Sequence, residues 1–126
     1  MANVKTRDHK LVLVVDDDPD VRESLSQLLD AKGYPTVQAE NGQRALEILK
    51  ETPHLPCLIV LDLAMPIMDG YAFLRLRAQD PALRDLPVVI TSANLRAEAA
   101  LKEKIQGYLV KPVNIDRLIE LIDQHC

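Results

Sequence analysis

Three aspartates in a row, Asp16-Asp17-Asp18, follow directly on the apolar run Leu11 to Val15, and a fourth, Asp62, follows the apolar run Cys57 to Leu61. Like charges held together repel, which raises carboxyl pKa values and costs stability unless a cation sits among them. A hard divalent ion meets that need. Mg2+ prefers oxygen ligands, keeps several waters and is typically held by one or two carboxylates plus phosphate oxygens. Asp16, Asp17 and Asp62 make a partial shell of that kind, with a position left for a phosphoryl oxygen. Thr91-Ser92 ends a later apolar run and Lys111-Pro112 ends another. A mobile ammonium for one phosphoryl oxygen and a hydroxyl for a second are the positioning and neutralising groups that phosphoryl transfer uses. The Asp62 carboxylate can itself attack phosphorus and form an aspartyl phosphate. There is no glycine-rich phosphate loop, so a nucleotide is not expected at this site.

These groups meet only if the segments that carry them lie side by side. Short β-branched runs alternate with segments of helical period along the whole sequence. Leu11 to Val15 reads as a strand buried on both faces. Val21, Leu25, Leu28 and Leu29 then fall on one helix face, opened by Asp18-Pro19 and closed by Gly33. A strand near Thr36 to Ala39 precedes a helix capped by Asn41 and running to about Lys50, with Leu46 and Leu49 inward. After the strand Cys57 to Leu61, Gly70 opens a helix carrying Tyr71, Leu74 and Ala78. Val88 to Thr91 reads as the fourth strand, and Asn94 is placed as the cap of a helix to about Ile105. Tyr108 to Val110 is the fifth strand, and Asn114 caps a last helix with Ile115, Leu118, Ile119 and Ile122 on one face. Unalternating strands separated by helices imply a parallel sheet covered on both sides, a doubly wound α/β fold. In such a sheet ligands bind beyond the carboxyl ends of the strands, where the carboxylates, hydroxyl and lysine all fall.

The 126 residues correspond to one domain with no linker or repeat, and 48% hydrophobic residues suffice for an aliphatic core even with 3% aromatics. No apolar run approaches the roughly 18 residues of a membrane span, and the N-terminal stretch lacks a secretory apolar segment. A cytoplasmic location with no membrane association is therefore expected. With 15 basic and 19 acidic residues, net charge −4, and no consecutive basic residues, direct nucleic-acid binding loses its electrostatic driver. Cys57 and Cys126 form no metal spacing and are read as free thiols, while His9, His54 and His125 stand alone and are assigned no chemistry. Met65 and Met68 are read as packing residues.

The stretches LVLVVDDDPDVRESL, LIVLDLAMPIMDG, LPVVITSA and GYLVKP match, in order, the motifs of the receiver domains of two-component response regulators, and the resemblance covers about Lys10 to Gln124. It implies a single receiver domain over 1–126, a flavodoxin-like sheet of strand order 2-1-3-4-5, of which a chemotaxis regulator of this family is an example, and five helices. By resemblance Asp16 and Asp17 hold Mg2+, with Asp17 the more direct ligand. Asp62 is the phosphoacceptor, and Ala64 offers its backbone carbonyl to the metal. Ser92 is the switch hydroxyl, Lys111 binds the phosphoryl group, Pro112 follows a cis peptide bond, and Tyr108 is the aromatic side chain that reports phosphorylation. The implied partners are a sensor histidine kinase or histidine phosphotransfer protein and a downstream protein target, engaged as a monomer or a phosphorylation-dependent dimer. The implied role is a phosphoacceptor switch, not an enzyme acting on a separate substrate: a change at Asp62 is relayed to the face around the fourth helix, fifth strand and last helix.

One departure stands out. The interval from Ser92 to Lys111 is 19 residues, about three shorter than is usual in that family, so a shortened fourth helix or following loop is expected. Two alternatives remain open on the residues alone. Asp16-x-Asp18 after a strand also resembles the nucleophile and acid of haloacid-dehalogenase-type phosphatases, with Ser92 and Lys111 as later motifs. A receiver-fold interaction module independent of phosphorylation would carry the same pattern.

Overall fold

The computed structural model describes residues 6–94 and 104–126. Its elements are β1 (Thr6–Val15), α1 (Pro19–Ala31), β2 (Thr36–Ala39), α2 (Gly42–Glu51), β3 (His54–Asp62), α3 (Gly70–Gln79), β4 (Val88–Ser92), β5 (Gly107–Val110) and α4 (Ile115–His125). The five strands form one parallel sheet in the order β2-β1-β3-β4-β5, as the motifs imply. The helix placed after Asn94 and its shortening fall on 95–103, outside the described residues; Lys104 and Ile105, which are described, are not helical.

Period-2 alternation along the strands sorts the core into two layers. Leu13, Val15, Ile59, Leu61 and Ile90 face the side covered by Leu46 and Leu49 of α2 and Phe73 and Leu74 of α3. Val12, Val14, Leu58, Val60 and Val89 face the other side, closed by Leu25 and Leu29 of α1 and Leu118, Leu121 and Ile122 of α4. Both faces are buried, which is why the strands read as unbroken apolar runs.

Local chemistry sets the helix ends. Asp18 accepts from the N–H groups of Asp20 and Val21, and Pro19 takes the first helical position, where no donor is lost. Gly33, at φ +89°, turns the chain out of α1 while Tyr34 N–H reaches back to the Leu29 carbonyl at 2.9 Å. Asn41, Asp69 and Asn114 cap α2, α3 and α4 in the same manner as Asp18.

Three expectations need correction. β1 begins five residues earlier than Leu11, because Thr6, Arg7 and Asp8 pair with His54, Leu55 and Pro56 of a β3 that itself begins three residues earlier than Cys57; those β1 residues are exposed and polar and leave no hydrophobic signal. The inward face of α3 is Phe73, Leu74 and Arg77, with Tyr71 half-buried and Ala78 exposed. A buried arginine escapes apolar periodicity; Arg77 is tolerated because its Nε and Nη2 donate to the Leu86 carbonyl at 3.2 and 2.6 Å.

The cysteines are the third correction: Cys57 and Cys126 are not free thiols but form a disulfide, 69 residues apart in sequence and with Cα atoms 5.2 Å apart. The physical reason is the path of α4, which runs back across the sheet and delivers Cys126 to the start of the central strand β3, within bridging range. Nothing in local spacing records that return. His54 is hydrogen-bonded to Thr6 Oγ1 at 2.9 Å.

Candidate functional site

The carboxylates, the hydroxyl and the lysine lie at the carboxyl edge of the sheet, and Tyr108 lies within β5. Asp16 and Asp17 follow β1, Asp62 ends β3, Ser92 ends β4 and Lys111 follows β5; parallel pairing of Val15 with Leu61, Asp62 with Thr91, and Ser92 with Val110 lines these ends up. The carboxylates of Asp16, Asp17 and Asp62 each place an oxygen within 4.8 Å of the others.

Asp16 is fixed from three directions. It is 1% exposed, its Oδ1 accepts from Asp18 N–H at 2.9 Å, its Oδ2 accepts from Lys111 Nζ at 2.8 Å, and its carbonyl accepts from Arg22 Nη1 at 2.7 Å. Asp17 faces solvent beside it. Asp62 is 4% exposed; its Oδ2 lies 3.4 Å from Lys111 Nζ and its Oδ1 accepts from Ala64 N–H at 3.4 Å. Lys111 is thus shared between two buried carboxylates.

The electrostatics follow from that geometry. Burial raises the Asp62 carboxyl above the usual aspartate range, and the Asp16 charge raises it further, against smaller lowering contributions from Lys111 and the Ala64 N–H. For Lys111, burial pulls downward, yet the Asp16 and Asp62 carboxylates together leave it above its ordinary value. Three carboxylates against one ammonium leave the cluster short of two positive charges, the charge of one divalent ion. The donor set is all oxygen, so it fits a hard cation such as Mg2+.

Around this core, Ser92 is buried, with its Oγ accepting from Asn94 N–H at 3.0 Å, and its carbonyl accepts from Lys111 N–H at 2.8 Å. Tyr108 is half-buried and donates its hydroxyl to the Asn94 carbonyl at 2.6 Å, which ties β5 to the segment after β4. The Lys111–Pro112 bond is cis, in agreement with the resemblance. Met65 and Met68 pack against the α2–α3 side of the core. Asp18, by contrast, is engaged as the cap of α1, its side chain accepting from the N–H groups of Asp20 and Val21.

Three residues that shape the site carry no role in the sequence pattern. Arg22 pins the Asp16 backbone and also donates from Nε to Gln38 Oε1 at 3.3 Å; it is visible in sequence only as a charged residue on a helix. Gly70, legible there only as a helix start and turn residue, sits where a Cβ would meet the Asp62 carbonyl at 2.7 Å and the Leu63 Cα at 2.8 Å, so only glycine lets α3 begin against the end of β3. Ile67, in the loop between Asp62 and Gly70, has φ 69° and is 79% exposed. A β-branched residue in the left-handed region is strained without compensating burial. Ile67→Gly is expected to raise unfolding free energy by about 1 kcal/mol, read as a higher urea midpoint with unchanged slope.

Comparison with known proteins places this geometry. The family model of the response regulator receiver domain matches residues 12–123. The polar-differentiation response regulator DivK of Brucella anthropi is 30% identical over 122 residues, spanning 92% of this chain and 95% of its own. Response regulator Rre1 of Synechocystis sp. is 36% identical over 88% of this chain, which spans about half (49%) of that longer protein. The crystal structure of the signal receiver domain of a signal transduction histidine kinase from Syntrophus aciditrophicus superposes with a TM-score of 0.82 at 31% identity, covering 91% of this chain and 88% of that one. Among the described residues, no helix is long and apolar enough to cross a membrane.

Proposed function

The chain belongs to the response regulator receiver family, the phosphoacceptor switches of two-component signalling, and from that premise we propose that Asp62 is the residue phosphorylated. The observation that carries the assignment is the Lys111 ammonium held between Asp16 at 2.8 Å and Asp62 at 3.4 Å, bringing together side chains from three separate strand ends.

In this reading an Asp62 carboxylate oxygen attacks the phosphorus of a phosphohistidine on a sensor kinase or histidine phosphotransfer protein. A P–O bond forms, the P–N bond breaks, and the imidazole leaves. Lys111 neutralises one phosphoryl oxygen and the Ser92 hydroxyl donates to another. Asp16, Asp17, Asp62 and the Ala64 carbonyl are the groups that would hold Mg2+, which when bound supplies charge neutralisation for the remaining phosphoryl oxygens. The chain promotes only its own phosphorylation and dephosphorylation. An open groove of about 630 Å³ beside Lys111 and Pro112, with Val21, Leu25 and Leu28 of α1 on its other wall, gives the donor protein an apolar surface that reaches the phosphoryl-binding lysine.

Phosphorylation adds negative charge and strong acceptor oxygens, so Ser92 and Lys111 favour a conformation drawn toward the new group. Tyr108, bonded to the Asn94 carbonyl, stands between that movement and the face carried by β5 and α4, where a downstream protein or a second copy reads the change. The test is intact mass. In Mg2+ with a small acyl phosphate, the protein is expected to gain one phosphoryl group, and none after chelation of the metal. Absence of the adduct in folded protein with Mg2+, or its persistence under chelation, would overturn the reading.

A further inference from the structure

The bond between Cys57 and Cys126 lies away from the phosphoacceptor, and nothing in the function above uses it. Its two sulfurs differ in environment. Cys57 is 2% exposed in the core layer beneath α1 and α4, whereas Cys126 sits one residue beyond α4 and is only partly buried against that layer. Thiol–disulfide exchange requires an incoming thiolate to reach a sulfur from outside, so Cys126 is the one that can be attacked.

The helix does not depend on the bond for its place. Leu118, Leu121 and Ile122 remain buried against the sheet, Asn114 caps the N-terminal end through Arg117 N–H at 3.1 Å, and Tyr34 at the end of α1 donates its hydroxyl to Asp123. What the bond alone adds is attachment of the last turn, where Cys126 N–H meets the Ile122 carbonyl at 2.8 Å, to the start of β3. Cleavage is therefore expected to leave a folded state that differs at that turn.

We propose that Cys57–Cys126 is a redox-reversible clasp, opened by an external dithiol at Cys126, that switches the C-terminal turn of α4 between fixed and released. One thiolate of the reductant attacks Cys126 Sγ, the protein S–S bond breaks, and a mixed disulfide forms while Cys57 leaves as a thiolate and takes a proton from solvent. The reductant's second thiolate then attacks its own sulfur in the mixed disulfide, releasing Cys126, which is protonated in turn. Two electrons and two protons pass to the protein, and the dithiol departs as a disulfide. Exchange with a disulfide oxidant runs the same steps backward. Once released, Cys57 is sealed among apolar groups and Cys126 is the exposed thiol.

The test uses the full chain purified without reductant and is independent of phosphorylation. Alkylation with iodoacetamide in denaturant, read by mass, is expected to add no group before treatment and two after dithiothreitol applied to the folded protein. Because the bond closes a loop of 69 residues, the reduced protein is expected to melt cooperatively about 10 °C lower. Hydrogen exchange should quicken at residues 122–126 and stay slow in β1. Cys126→Ser is expected to melt like the reduced protein and to ignore dithiothreitol; should it fail to fold, the reduced parent supplies the same comparison. Two alkylated thiols before reduction, a bond that dithiothreitol reaches only in unfolded protein, or equal melting temperatures in both states would each overturn the proposal.

Discussion

Asp62→Asn is expected to end phosphoryl incorporation altogether: the variant, folded and given Mg2+ and a small acyl phosphate, keeps its unmodified mass. The amide retains the shape of the side chain but loses the anionic oxygen that must form the new P–O bond, and no neighbour replaces it. Asp16 is the nearest alternative carboxylate, yet its Oδ1 is taken by Asp18 N–H and its Oδ2 by Lys111. The same variant reports on the electrostatics. A carboxyl whose folded pKa lies above its unfolded value binds more protons in the folded state, so stability declines as pH rises from the ordinary aspartate range through the folded value. Asp62 is such a group. With divalent ions chelated, Asp62→Asn should lose this part of the decline and at neutral pH be at least as stable as the parent, the melting temperature being the readout. A phosphoryl adduct on the variant would place the acceptor elsewhere.

Lys111→Met is expected to cause the largest loss of stability among single changes at the site, about 3 kcal/mol at neutral pH without divalent ions. The substitution keeps much of the apolar stem and removes the one ammonium that two buried carboxylates share. Removing one partner of a buried ion pair leaves uncompensated charge, which costs far more than a surface pair is worth. The sign with pH is fixed by the same linkage. Lys111 lowers the Asp62 carboxyl, so its loss moves that group further upward, and the variant's deficit should shrink as pH falls toward the carboxyl range. Mg2+ should also shrink it, because the cation supplies the missing charge. Denaturant melts at two pH values, with and without Mg2+, provide the check; a deficit independent of both would mean that Lys111 matters by packing alone.

The fold was largely legible because its core is apolar in the simplest way. Val12 to Val15 and Leu58 to Leu61 are buried on both faces, and the caps Asp18, Asn41 and Asn114 announce their helices. The site was legible for a related reason: in a parallel sheet the residue after each strand goes to one edge, so strand ends read in sequence become neighbours in space. What escaped is what depends on tertiary return. Thr6 to Asp8 extend β1 only because β3 lies alongside, Arg77 goes inward only because the Leu86 carbonyl is there to receive it, and Cys126 meets Cys57 only because α4 doubles back. Arg22 belongs with them: one arginine among exposed helix residues acquires meaning from the Asp16 carbonyl, which no spacing rule connects to it.

The central strand β3 carries Cys57 near its beginning and Asp62 at its end, five residues and therefore about 16 Å apart. Both faces between them are packed, so the intervening strand is a spacer of fixed length and not a lever. Any communication between its two ends therefore runs through α4, which begins four residues after Lys111 and ends next to Cys126. On the proposals above, a phosphoryl group at Asp62 and the bond at Cys57 would be two covalent marks on one strand whose effects meet on a shared helix, α4.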